Sequence, residues 1–330
     1  MLSPKGGKRA AMKSMVELLA ALALFLLGLA LLGRSLQHLT GGWMEAALRR
    51  WTGSRSRGLV LGLGMTALLQ SSSAVTVMAV SLADAGLLTP QRTRPLIVGA
   101  NVGTTVTAWL LCLEGEQPEA ASLLIAVLAV AGLVLVLLPG KRELSGAAWG
   151  LDLLLLGMEG MTAAAAPMAQ WPPFLRLMGQ GEGGSAWLAL LAGTVCTGVL
   201  QSSSASVGLL QALSFSGQVT WSGAVPLLMG QNIGTCVTAL LAGAAGGANA
   251  RRTARFHLWF NVVGMAVFFP LWLAAERCLG VGAGPIGAVG IAAFHTAFNV
   301  ASGVLWLLWE RFGHAKGAGA GKRVRYAVRG

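Results

Sequence analysis

The chain has 330 residues, of which 55% are hydrophobic and only 11% charged, a balance that excludes an ordinary soluble domain and points to an integral membrane protein. Its formal charge of +12 does not indicate nucleic-acid binding, because Lys and Arg gather at the ends of apolar stretches and in the tails, with no aromatic-interleaved basic face. The cysteines Cys112, Cys196, Cys236 and Cys278 share no CxxC spacing, which excludes a zinc or thioredoxin-like motif and leaves small membrane-buried side chains.

Residues 1–13 form a basic N-terminal segment with Lys5, Lys8, Arg9 and Lys13, and the apolar run behind it imitates a secretory signal. That run continues to about Leu32 without a small-residue cleavage site, so Ser14 to Leu36 reads as a retained first helix. Gly58 to Leu88 behaves differently: two apolar segments flank the polar sequence Gln70-Ser71-Ser72-Ser73-Ala74. Each segment is about a dozen residues, about 18 Å of helix against a bilayer core of about 30 Å, which predicts a re-entrant hairpin with its tip near the midplane. Spans follow at Leu96 to Leu113 and Ala120 to Leu138, a linker at 139–146, and a span at Ala147 to Ala166. Ser185 to Gly217 is a second hairpin around Gln201-Ser202-Ser203-Ser204-Ala205. The last spans are Ala224 to Ala242, Phe256 to Ala275 and Ile286 to Trp309, before a basic cytoplasmic tail over 310–330 that is Gly-rich and unstructured from Gly313.

The two polar pentapeptides belong to a longer repeat. At one ungapped spacing of 131 positions, Gly62 matches Gly193, Thr66 Thr197, Pro95 Pro226, Gly99 Gly230, Asn101 Asn232, Thr104 Thr235 and Thr107 Thr238. The matches are mostly Gly, Pro, Ser, Thr, Asn and Gln, so the repeat preserves backbone breaks and polar groups. The fold predicted is an all-α polytopic membrane protein of two inverted repeats, 14–138 and 147–309, each with a re-entrant helical hairpin (58–88 and 185–217) and a broken transmembrane helix. Charge supports the inversion through the positive-inside rule. Arg49, Arg50, Arg55, Arg57, Arg92 and Arg94 flank the first hairpin, whereas the second has only Arg176, beside Glu182. Glu114, Glu116 and Glu119 then fall outside, and Lys141, Arg142, Arg251, Arg252, Arg255 and the tail fall inside; the basic N-terminus alone disagrees.

Three adjacent hydroxyls at bilayer depth need partners, since a polar group buried without one costs on the order of 2–7 kcal/mol. After each break the new helix begins with unpaired N–H groups and the positive end of its dipole, which suits an anion, and the serine hydroxyls add donors. Before each break, carbonyls at Leu69, Gln70, Leu200 and Gln201 are free and suit Na+. Neither tip contains Lys or Arg, so a dianion held there is underneutralised, and co-bound cations are the simplest compensation. The second duplicated element, Asn101 to Thr107 and Asn232 to Thr238, leaves two readings open: hard oxygen ligands for Na+, or glycines that permit close helix packing while Thr bonds its own helix. His257 with Asn261 and His295 with Asn299 share helix faces and read as packing hydrogen bonds or as ligands. Asp84, Asp152 and Glu159 are intramembrane acids that suit an ion or proton site, or a span end.

Through Gln70 to Ala74 with Gly99-Ala-Asn-Val-Gly-Thr-Thr105, Gln201 to Ala205 with Gly230-Gln-Asn-Ile-Gly-Thr-Cys236, and the paired His-x-x-Phe-Asn segments, the chain resembles the type II sodium-phosphate cotransporter family in its short bacterial form. The resemblance covers about Leu18 to Trp309 and implies Na+-coupled symport of inorganic phosphate, by alternating access, in the cytoplasmic (inner) membrane, with no enzymatic activity and no cofactor beyond co-transported Na+. By position it implies phosphate binding by Gln70, Ser71, Ser72, Ser73, Gln201, Ser202, Ser203 and Ser204, and Na+ binding by Ser72, Asn101, Thr104, Thr105, Ser203, Asn232 and Thr235. Cys236 stands where the first copy has Thr105, which removes one hydroxyl ligand. The C-terminal regulatory domain of many bacterial relatives is expected to be absent. Membrane lipid is the other partner expected. An intramembrane serine hydrolase using His257 or His295 as base, and an uncoupled anion channel, are the rival readings.

Overall fold

A computed structural model describes residues 4–40, 46–47, 50, 52–116, 118–168, 176 and 185–324. Arg49 and Glu182, which entered the charge pattern above, and the tail residues Arg325 and Arg329 lie outside the described residues. The helices in chain order are α1 (Pro4–Thr40), α2 (Arg55–Leu69), α3 (Ser72–Asp84), α4 (Pro90–Glu116), α5 (Pro118–Leu137) and α6 (Arg142–Met168). They continue as α7 (Ala186–Leu200), α8 (Ser203–Ser214), α9 (Trp221–Gly234), α10 (Cys236–Ala245), α11 (Ala248–Leu279) and α12 (Ala288–Val324). Among the described residues the only β pairing is one isolated bridge, Thr220 to Pro285.

Among the described residues six helices are long and apolar enough to cross a membrane: α1, α4, α5, α9 joined to α10, α11 and α12. The expected span at 147–166 is also helical, within the 27 residues of α6, but Asp152 and Glu159 make it less apolar than the rest. Two expectations need correction. The last helix does not stop at Trp309 but runs to Val324, so the tail is helical up to that point. The crossing helix is broken in one copy only: α4 is continuous from Pro90 to Glu116, whereas its counterpart divides at Thr235 between α9 and α10. Even there Thr235 keeps helical dihedrals (φ −57°, ψ −24°), and its hydroxyl donates to the Gln231 carbonyl, so the division is a slight loosening rather than an unwound stretch.

The 131-residue spacing carries into the helix bounds, since α2 spans 55–69 and α7 spans 186–200, while α4 and α9 start at 90 and 221. Packing repeats as well. A side chain at Gly62 would run into the Leu96 carbonyl of α4, and one at Gly193 into the Leu227 carbonyl of α9. Such backbone-to-backbone approach is how helices associate in lipid, where apolar side chains gain nothing by leaving hydrocarbon. Around these pairs, Phe25 of α1 packs with Leu154, Leu155, Met158 and Met161 of α6, and Ala205 and Ala212 of α8 join the same cluster. That contact sets α1 beside the second serine triplet.

Candidate anion site

Both serine triplets mark a change of helix. α2 ends on Gln70 and α7 on Gln201, with φ of 52° and 51°, the only non-glycine residues with positive φ among the described residues. A left-handed conformation costs an L-residue about 1–2 kcal/mol, so the same strain at two equivalent points marks a backbone held for use. The next residue is an N-cap in each copy: Ser71 Oγ accepts from Ala74 N and Ser202 Oγ from Ala205 N, both at 3.2 Å. Capping uses one of the orphan N–H groups of each new helix and leaves those of Ser72, Ser73, Ser203 and Ser204 without an intrahelical partner.

The tips meet. Ser72 Oγ lies 3.5 Å from Ser203 Oγ, and Ser73 Oγ donates to the Gln201 carbonyl at 3.4 Å. Ser204 Oγ donates to Thr107 Oγ1 at 3.3 Å, and Thr238 Oγ1 donates to Ser73 Oγ at 3.2 Å. Since Ser204 and Thr238 lie 131 positions after Ser73 and Thr107, these last contacts are one contact made twice, with the halves exchanged. Reciprocity of that kind, with Ser72 and Ser203 facing each other, is the pattern of an isologous, two-fold contact. Thr107 also donates to Gln70 Oε1 at 2.7 Å. The repeat displays Thr107 and Thr238, but nothing in the sequence marks them as reaching the opposite tip.

A cavity of about 330 Å3 opens on these tips, lined by Gln70 to Ala74, Gln201 to Ser204 and one face of α1 from Leu26 to Gln37. Arg34 is the one charged residue among its described lining residues. The tips themselves hold no Lys or Arg, as the sequence has it, but an arginine of α1, far off in sequence, lines the same cavity. An arginine within an apolar span is costly unless it faces water or an anion, and the cavity supplies that setting. No histidine is among its described lining residues, and His257 Nε2 lies 3.3 Å from Asn101 Oδ1.

The Asn-Gly-Thr segments sit apart from that lining. Gly103 packs against Leu63 and Thr66, and Gly234 against Thr194 and Thr197. Thr104, Thr105 and Thr235 donate to the carbonyls of Ala100, Val102 and Gln231, and Asn232 Nδ2 to Leu228. Asn101 alone among them reaches across, donating to Asn261 Oδ1 at 3.4 Å. Asn261 in turn donates to Cys236 Sγ at 3.3 Å, so Cys236 sits within this network. A hydroxyl that donates along its own helix keeps its lone pairs free, so this bonding leaves Thr oxygens able to face a cation. Among the described residues no group of three His, Cys, Asp or Glu could hold a metal ion.

Asp84 finds a structural use: its carboxylate accepts from Gly247 N, the N-cap of α11, at 2.6 Å. Asp152 is buried with one carboxylate oxygen unpartnered, and Glu159 is exposed. Cys112 and Cys236 are buried and Cys196 half-buried, but Cys278 is exposed.

The profile of the Na+/Pi-cotransporter family matches residues 24–163 and 175–295. The uncharacterized protein YqeW of Bacillus subtilis is 31% identical over 296 residues, which is 89% of this chain and 94% of YqeW. Escherichia coli YjbB, whose name provisionally describes an inorganic phosphate export protein, is 27% identical over 294 residues; these are 88% of this chain but 52% of YjbB, so the chain spans about half of that relative. Human sodium-dependent phosphate transport protein 2B is 39% identical over 89 residues, 26% of this chain and 13% of that protein. No solved structure matches.

Proposed function

The chain belongs to the Na+/Pi-cotransporter family, and we propose that it carries inorganic phosphate across the cytoplasmic membrane by alternating access, coupled to Na+. The observation that carries this reading is the shared cavity of the two Gln-Ser-Ser-Ser tips, with Ser72 and Ser203 hydroxyls 3.5 Å apart. Phosphate sits between the tips and takes hydrogen bonds from the free N–H groups of Ser72, Ser73, Ser203 and Ser204 and from the serine hydroxyls. Arg34 supplies one positive charge. A phosphate dianion needs a second, and Na+ held by the carbonyl ends of α2 and α7 and by Asn101, Thr104, Thr105, Asn232 and Thr235 provides it.

In this reading α2–α3 and α7–α8 are re-entrant hairpins of an inverted repeat. α2 and α7 have 15 residues each, about 22 Å at helical rise, short of a bilayer core of about 30 Å. The reciprocal Thr–Ser contacts support the two-fold relation, and the clustering of Arg55 and Arg94 around Glu310 supports one positive end. The hydroxyl contacts between tips, 3.2–3.5 Å long, are weak ones, so parting one tip from the other to admit the ion costs little. A coupled carrier of this kind runs in whichever direction the gradients impose, so uptake and export use the same site.

Radiolabelled phosphate flux into proteoliposomes tests the proposal. Concentrative uptake that requires an inward Na+ gradient is expected. Flux that only equilibrates, with or without Na+, would replace the coupled carrier by a channel.

A further inference from the structure

A second cavity, of about 690 Å3, lies between the starts of α4 and α11 and the end of α12. Its wall is aromatic: Phe256 stands edge-on to Trp306 with centroids 6.0 Å apart, and Trp259 to Trp309 at the same distance. Its polar lining is basic, with Arg94, Arg252 and Arg255 against the single acid Glu310. That acid is already neutralised, since Arg94 Nη1 lies 3.1 Å from one of its oxygens and Arg55 Nε 3.2 Å from the other. Arg252 makes no ion pair among the described residues, and Arg255 spends only its Nε–H, on the Arg251 carbonyl at 3.2 Å. Two guanidinium charges thus remain without counter-charge beside exposed indoles, Trp309 being 65% exposed. These residues lie toward the ends of helices long and apolar enough to cross a membrane, where basic and aromatic side chains commonly meet the bilayer interface.

We propose that this cavity binds an anionic phospholipid, its phosphate on Arg252 and Arg255 and an acyl chain along Trp259 and Trp309. A small soluble anion would leave the aromatic wall unused, and a neutral lipid would leave the two charges unmatched. Glu310 joins the site to Arg55, the first residue of α2, so bound lipid braces the base of the first hairpin.

The test uses purified full-length protein in detergent, with phosphatidylglycerol or phosphatidylcholine of the same acyl chains, read by native mass spectrometry. Each arginine near an anionic headgroup is worth about a five-fold preference, so roughly thirty-fold retention of phosphatidylglycerol over phosphatidylcholine is expected. Arg252→Gln together with Arg255→Gln should abolish that preference while the protein still elutes as a folded species. Trp309→Ala, which keeps the charges, should lower retention of both lipids. Equal retention of the two lipids by wild type, a preference untouched by the arginine changes, or full displacement of the lipid by millimolar inorganic phosphate would each overturn the proposal.

Discussion

The two hairpins of this protein share a backbone and differ in how their bases are held. At the tips a left-handed Gln, a capping Ser, a free pair of N–H groups and a Thr from the opposite half recur, although the Thr107–Gln70 and Ser73–Gln201 contacts have no counterpart. At the bases the backbone recurs, with Ser54 and Ser185 as N-caps and Gly86 and Gly217 at φ 72°, but the charged contacts do not. Arg55 and Arg94 clasp Glu310 in the first half, while the residues 131 positions on are Ala186 and Val225. The repeat has kept the parts that face one another and varied the charges at the opposite ends. A ligand shared as proposed would impose identical demands on both tips and none on the bases.

The strongest way to break the comparison is at its centre. Ser72→Ala and Ser203→Ala should each reduce phosphate flux in proteoliposomes by about 100-fold or more, because either one strips a donor from a dry site, as with loss of an oxyanion donor in an enzyme. Full flux in one of them would mean that the tips do not contribute equally. Arg34→Gln comes next, since a hydrogen bond to a charged group is worth about 1.5–3 kcal/mol. Half-saturation by phosphate should rise at least about ten-fold in that variant, with Arg34→Lys recovering part of the loss; unchanged half-saturation in both would place Arg34 outside the bound ion's reach.

How much of this was legible in the sequence follows from what each feature depends on. A Ser triplet within an apolar run announces a helix break, because serine caps and hydrocarbon tolerates no loose N–H, and both breaks fall where the pentapeptides put them. Arg34 was not legible as lining the same cavity as the tips, because its place there depends on how α1 packs against α6 and on no local pattern. The continuity of α4 was misread for a related reason. Gly99, Gly103 and Thr104 look like an interrupted helix, but they serve contact with α2, and Thr104 bonds the Ala100 carbonyl without opening the turn.

Two smaller effects sharpen the comparison. Gly62→Ala and Gly193→Ala should cost about 1–3 kcal/mol each, and by similar amounts, since each Cβ meets the same carbonyl of the partner helix. Thermal unfolding in detergent measures both, and a large difference would show that one pair of helices can slide apart. Thr107→Val and Thr238→Val should cost similar amounts, about 2 kcal/mol each, since Thr107 loses contacts to Gln70 and Ser204 and Thr238 loses contacts to Ser73 and the Thr235 carbonyl. A much larger loss at Thr107 would mean that its bond to Gln70 outweighs the bond to Thr235.

The meeting of Ser72 and Ser203 also sets a condition on shape. Whatever lies on an axis that exchanges the two halves must look the same after half a turn, or else bind in two orientations at once. Four oxygens at tetrahedral corners come close to that condition, because they divide into two pairs, one for each tip; the protonated oxygen of a phosphate dianion and Arg34, which has Ala165 131 positions on, are what break the match. A lopsided organic phosphate has no such pairing and would have to surrender half of the contacts on offer. Shape alone therefore favours a small tetrahedral ion at two matched tips.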